Sequence, residues 1–165
     1  MIGLEDDYYQ ADVVGAAGES GAPSACAEHP IPEPSSWLVT ASSQQENNGP
    51  ARVADGSSAR WSSGKPQSEA DWLEVDFKKS VSLRTINLQQ GANTNDYPRS
   101  YAVRLSNQSA DRDGPVLASG VGTAGVSTLI ALSKAATGRY LSIQQLGTSL
   151  SWWSVAELEV SCSDD

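Results

Sequence analysis

The sequence of 165 residues is poor in several things at once: one Met, one Phe, one His, two Cys, and 11 Lys and Arg against 20 Asp and Glu. Each shortage narrows the function. A formal net charge of −9 works against nucleic acid and anionic lipid, because phosphate binding needs clustered Lys and Arg. It disfavours anionic polysaccharides too, and leaves neutral and cationic sugars open. No stretch approaches the roughly 20 apolar residues that cross a bilayer as a helix. Residues 1–10 hold Glu5, Asp6 and Asp7 and no apolar segment, so they do not read as a signal peptide. The expectation is a domain whose signal has been removed, or one cut from a longer chain. Cys26 and His29 offer two metal ligands where zinc takes three or four from the protein, so His29 reads as an exposed linker residue.

What is present points to short strands. Residues 1–34 form an extension: small residues at 13–18, an aromatic pair Tyr8-Tyr9 that could dock, and alternating Pro30, Pro32 and Pro34 that keep the chain extended. From Trp37 onward alternation dominates. Leu73, Val75 and Phe77 share one face against Glu74 and Asp76. Ile86 and Leu88, then Tyr101, Val103 and Leu105, then Leu141 and Ile143, then Ala156, Leu158 and Val160 repeat the pattern. Shorter candidates lie at 116–118 and 128–132. Period two repeated this often predicts an all-β fold, an antiparallel sandwich or barrel, over residues 35–163. Cys26 and Cys162 bracket it. Such a pair reads as a disulfide tying the termini together; the alternative is two free buried thiols, and no metal or redox motif competes.

If successive strands run antiparallel, the loops at 62–71, 91–99, 119–126 and 147–153 share one end, and those at 78–82, 107–114 and 133–138 share the other. The first end holds Gln67, Glu69, Asp71, Asn95, Asp96, Tyr97, Arg99, Trp152 and Trp153, with Trp61 at its edge; the second is plain. Binding residues concentrate on loops held by a rigid scaffold, which makes the first end the candidate site.

The run Val53-Ala54-Asp55-Gly56-Ser57-Ser58-Ala59-Arg60-Trp61-Ser62-Ser63-Gly64 resembles the opening motif of coagulation factor 5/8 type C, or discoidin, domains. Trp72-Leu73-Glu74-Val75-Asp76-Phe77, Asp96-Tyr97-Pro98-Arg99-Ser100-Tyr101, Gly138-Arg139-Tyr140-Leu141 and Ser151-Trp152-Trp153-Ser154-Val155 follow in family order. The Trp-Trp-Ser ending and the Ser-Gly-x-Pro-Gln stretch are similar to carbohydrate-binding module family 32. The resemblance implies a jelly-roll sandwich of the galactose-binding-domain type with a sugar site on the loops at one end. It also implies attachment to a secreted glycoside hydrolase or polysaccharide lyase and a polysaccharide or oligosaccharide partner. The expected state of the chain is a monomer. Many relatives hold a structural calcium ion, and Asp55 and Glu157 match that pattern. Ala59 stands where a Thr ligand is usual, so Ser57 or Ser58 has to replace it.

Sugar recognition needs flat aromatic faces for C–H patches and planar polar groups for hydroxyls. The candidates are Trp153, Trp152, Tyr97, Arg99, Asn95, Asp96, Gln67 and Glu69. Counted from Ala156 and Leu158, Trp152 has the parity of the buried set, and the family's recurrent packing Trp falls on it. Trp153 is then the stacking platform, unless both are core. Arg99 either pairs with sugar hydroxyls or links its own loop. Trp61 and Trp72 are expected to pack on the sheets, and Trp37 to cap the sandwich at its entry. Glu46, Glu69, Asp71 and Asp96 tilt the rim negative, which would suit an amino sugar. The expected function is a non-catalytic carbohydrate-binding module that targets an attached enzyme to a neutral or amino-sugar glycan. Adhesion to a cell-surface glycoprotein is the alternative. An enzyme using paired carboxylates is disfavoured by the lack of a nucleophile motif or His base.

Overall fold

A computed structural model describes residues 24–163. Tyr8-Tyr9 and the small-residue stretch at 13–18 lie outside the described residues. The fold is an antiparallel β-sandwich built on two long strands, β3 (Trp72–Gln89) and β6 (Ser127–Gln145). They pair from Trp72↔Gln144 to Gln89↔Ser127, with register shifts between Asp76 and Val81 and between Leu83 and Thr85. The shifts divide the pair. One half carries β1 (Leu38–Ala41), β4 (Tyr101–Ser106) and β5 (Ala118–Gly120); the other carries β8 (Glu157–Ser161) along β3. A separate ribbon joins β2 (Trp61–Ser62) to β7 (Ser154–Val155).

Alternation decides which side chains fill the sandwich. Leu73, Val75, Phe77, Ile86, Leu88, Val103, Leu141, Ile143 and Leu158 are buried in one core. The outer face is not left open. Glu74 accepts from Ser109 Oγ and Ala110 N, both at 2.8 Å, and the Arg112 guanidinium lies 3.8 Å from the Trp72 ring centroid. Segments 78–82 and 133–138, expected as loops, run largely within β3 and β6 as the bend between the halves. The strand expected at 116–118 starts at Ala118 instead. At the bend Lys78 adopts φ 67°. Asp76 supports it, accepting from Lys78 N at 2.8 Å and from Arg139 Nε and Nη2 at 2.8 and 3.1 Å. The Arg139 guanidinium, with Lys78 adding to it against the cost of burial, holds the Asp76 carboxyl well below the usual carboxylate range.

The described part of the extension lies against the sandwich. Ser24 Oγ caps a short helix, α1 (Ala25–Glu28), by accepting from Ala27 N at 3.2 Å. Pro30 follows its end. The Cys26–Cys162 disulfide is formed, with Cα atoms 5.5 Å apart. His29 O accepts from Ser82 N at 2.8 Å, and Ile31 packs on the core. Trp37 meets Phe77 edge to face at 5.1 Å, and its indole N–H donates to Pro32 O at 2.9 Å.

Candidate functional site

The four loops expected at one end do meet there. Gln67 and Ser149 form a β-bridge, Gly122 N donates to Pro98 O at 2.9 Å, Gly125 N to Thr94 O at 3.0 Å, and Asn95 Nδ2 to Ser151 Oγ at 2.9 Å. Gly122 is required: a Cβ there would lie 2.1 Å from Pro98 O.

Gln67 is the hub of this end rather than part of its surface. It is buried; its amide N–H groups donate to Tyr97 O and Trp152 O, both at 2.9 Å. Its Oε1 accepts from Arg99 N at 3.2 Å and from the Gln145 side chain. Gln145, also buried, accepts in turn from Ser100 N at 2.9 Å and Gly147 N at 3.3 Å. With two donors and two acceptor positions committed, Gln67 has nothing left for a hydroxyl. Its assignment as a sugar contact is corrected to a brace across three loops.

The two tryptophans exchange places. Trp153 is fully buried and meets Trp61 edge to face at 5.0 Å, so it is core and not a platform. Trp152 is half-buried and is the tryptophan that keeps exposed surface on this rim. The parity count fails because Ala156 breaks the chain between β7 and β8, and alternation does not carry across a bend. Trp61 is buried as expected, and half-buried Trp72 lies under Arg112.

Tyr97 and Arg99 are both half-buried and stacked, with the guanidinium carbon 3.7 Å from the ring centroid. Arg99 Nη1 donates to Tyr97 O at 3.2 Å, and Nη2 to Asn95 O at 3.0 Å. This is the loop-linking arrangement, and it covers one face of Tyr97. Arg99 has five donors, so some remain for a ligand. Asp96 is half-buried and accepts from Ser154 Oγ at 2.6 Å. Asn95 and Glu69 are exposed. Asp71 does not tilt the rim: it is fully buried and bonded to Lys65 Nζ at 2.7 Å and Ser68 N at 2.8 Å. The structure therefore brings Trp152, Asn95, Tyr97, Arg99 and Asp96 to one rim. Apolar tips that sequence reading passed over share this end: Leu150, Val121 and Val126 are 93%, 72% and 66% exposed. Their signal was present in the sequence, as isolated apolar residues among Gly, Ser and Thr.

At the Asp55 loop, Asp55 Oδ1 accepts from Ser57 N at 2.9 Å, and Oδ2 lies 3.4 Å from Arg52 Nη1. Ser57 Oγ accepts from Ala59 N at 3.1 Å. Glu157 comes close enough to Asp55 to feel its charge. Burial first and Asp55 second push the Glu157 carboxyl up, while the Gly56 N–H opposes them. Asp55, Glu157, Ser57 and Ser58 offer oxygen only, the donor kind calcium takes. Among the described residues no group of three or more His, Cys, Asp or Glu could hold a metal ion, so the set fits in kind and needs backbone oxygens or water to fill a calcium shell.

The family model for the F5/8 type C domain matches residues 39–158. Among solved structures, the chain is similar to the family 32 carbohydrate-binding module of C. perfringens NanJ in complex with galactose. The identity is 16% over 78% of this chain and 95% of that one, with a TM-score of 0.67. It is similar to chitosan-binding module 1 of a Paenibacillus sp. IK-5 chitosanase/glucanase, at 24% identity over 79% and 99% with a TM-score of 0.66. A third is the family 32 module of AlyQ in complex with 4,5-unsaturated mannuronic acid, at 23% identity over 76% and 95% with a TM-score of 0.61. The comparison with curated proteins found no match. With the family model spanning most of the chain and the sandwich shared with family 32 modules, the chain belongs to the F5/8 type C domain family.

Proposed function

We propose that the chain is a non-catalytic carbohydrate-binding module. In this reading it targets an attached polysaccharide-degrading enzyme to a neutral or amino-sugar glycan outside the cell. One observation carries it: a half-exposed Trp152 beside exposed Asn95 and the stacked Tyr97–Arg99 pair, on loops braced by buried Gln67. A sugar ring would lie on Trp152, with Asn95, Arg99 and Asp96 serving its hydroxyls or amine. The ligands named for similar structures (galactose, chitosan and a mannuronic acid) support a glycan without choosing one. The disulfide supports an oxidising compartment. A glycan array followed by calorimetry on the best hit tests the reading. Trp152→Ala should weaken binding at least about tenfold, or roughly 1.4 kcal/mol, with no reducing ends released by the unaltered chain. Unchanged affinity would remove Trp152 from the site; turnover would make the chain an enzyme.

The exposed Leu150, Val121 and Val126 favour a second reading, adhesion to a protein surface. An array without hits, together with binding to a glycoprotein that survives deglycosylation, would select it.

We further propose that Asp55, Glu157 and the Ser57 or Ser58 hydroxyl hold a structural calcium ion. Burial and the Asp55 charge both disfavour an ionised Glu157 carboxyl, and a divalent cation would relieve that; Asp55 itself is held ionised by its hydrogen bonds from Ser57 and Arg52. Calcium should then raise the melting temperature by several degrees and EDTA reverse it, and Asp55→Asn should abolish the shift. Equal melting curves with and without calcium would exclude the ion.

A further inference from the structure

We propose that the groove between the N-terminal arm and edge strand β8 is a second saccharide site, separate from the loop rim, that takes a cationic amino sugar. The groove encloses about 430 Å³, within the range of small-molecule sites and far larger than the shell of a single metal ion. Pro32, Glu33, Pro34 and Trp37 form one wall, and β8 from Glu157 to Val160 forms the other. The arm is held in place at Cys26 by the disulfide, at His29 by Ser82 and at Pro32 by the Trp37 indole.

The chemistry of the walls selects the occupant. Among the described residues Glu33, Glu157 and Glu159 line the groove, Glu159 also accepting from Asn87 Nδ2 at 3.1 Å, and no Lys or Arg does. Pro32 and Pro34 have no N–H, and the Trp37 N–H is already given to Pro32 O. The groove side chains are therefore rich in acceptors and without free donors, and the donors left are backbone N–H groups on the open edge of β8. The ligand has to bring donors and positive charge together with apolar surface for Trp37, Pro32 and Pro34. A 2-amino-2-deoxy sugar does this with an ammonium, neighbouring hydroxyls and C–H patches on one ring. An added peptide strand would pair with β8 on one side only, because alternating prolines deny it a ladder on the arm.

The test is an NMR titration of the full chain at pH 6 with a glucosamine trimer and, separately, with its fully N-acetylated counterpart. The glucosamine trimer should move the Trp37 indole N–H and the amides of 157–160. The acetylated trimer should leave them in place. The exposed pair of substitutions Glu33→Gln and Glu159→Gln should weaken the response at least tenfold, and Trp152→Ala should not alter it. Loss of loop-rim shifts with these retained would count against the rim alone. No movement at millimolar glucosamine trimer would overturn the proposal. So would equal movement with the acetylated sugar. Tighter binding of an oligolysine peptide would make the groove a polypeptide site, and movement of the Trp37 indole N–H by calcium chloride at lower concentration, beyond the Glu157 shifts that the Asp55 site accounts for, would make it a metal site.

Discussion

At the scale of single residues, adjacent Trp152 and Trp153 differ in burial because neighbours on extended chain point opposite ways. That they differ was legible in the sequence; which is which was not. Parity taken from Leu158 does not carry across the break at Ala156, where Ser154, Val155 and Ala156 are buried in succession. Gln67 was misread for a related reason. An amide in a polar loop looks like a hand for sugar hydroxyls, and only the meeting of three loops shows its hydrogen bonds already spent on backbone. The exchange can be tested by denaturant unfolding. Trp153→Ala, which empties space against Trp61, should cost about 3–5 kcal/mol. Trp152→Ala should cost roughly 1 kcal/mol or less. Equal losses would mean that both rings are core.

At the scale of elements, alternation located the strands because one face of each is buried, and antiparallel order then placed the loops at 62–71, 91–99, 119–126 and 147–153 together at one end. It did not show that β3 and β6 continue through the bend. A strand that bends between layers loses its period and part of its ladder, with residues 77–80 unpaired between Asp76↔Tyr140 and Val81↔Gly138, so 78–82 looks like a loop. What holds the bend is a carboxylate, and this has a pH consequence. The folded-state pKa of Asp76 is depressed by Arg139, so its stabilisation is complete above the unfolded value of about 3.9 and is lost as pH falls below that value toward the depressed one. The pair is partly open to solvent, with Arg139 39% exposed. The contribution is therefore about 1 kcal/mol after allowance for screening. Asp76→Asn should lower stability by about that amount at pH 7 and flatten the stability curve between about pH 4 and 2. An unchanged acid limb would show that the bend does not depend on the charge.

At the scale of the whole molecule, the disulfide ties the described part of the extension, residues 24–34, to the last strand. It spans 136 residues, and closing a loop of that length stabilises by about 4–5 kcal/mol in the chain-entropy model, often less in practice. Among the described residues the arm is also tied by packing of α1 on β3 and β6, a backbone hydrogen bond from Ser82, the Ile31 contact and the Trp37 edge on Phe77. The loop rim is held by a different set, the Gln67 and Gln145 amides, at the end where β2 and β7 meet. Replacing both cysteines with serine should therefore separate the two halves of the functional reading. The melting temperature should fall by roughly 10 °C or more, taking about 2–5 kcal/mol and the usual several degrees per kcal/mol. Below the new midpoint, glycan affinity at the rim should stay within twofold. The Trp37 indole resonance should lose its response to the glucosamine trimer, because the arm wall of the groove is no longer fixed. If rim affinity fell in step with the groove response, the arm would be a general support for the sandwich, and the two sites would not be independent.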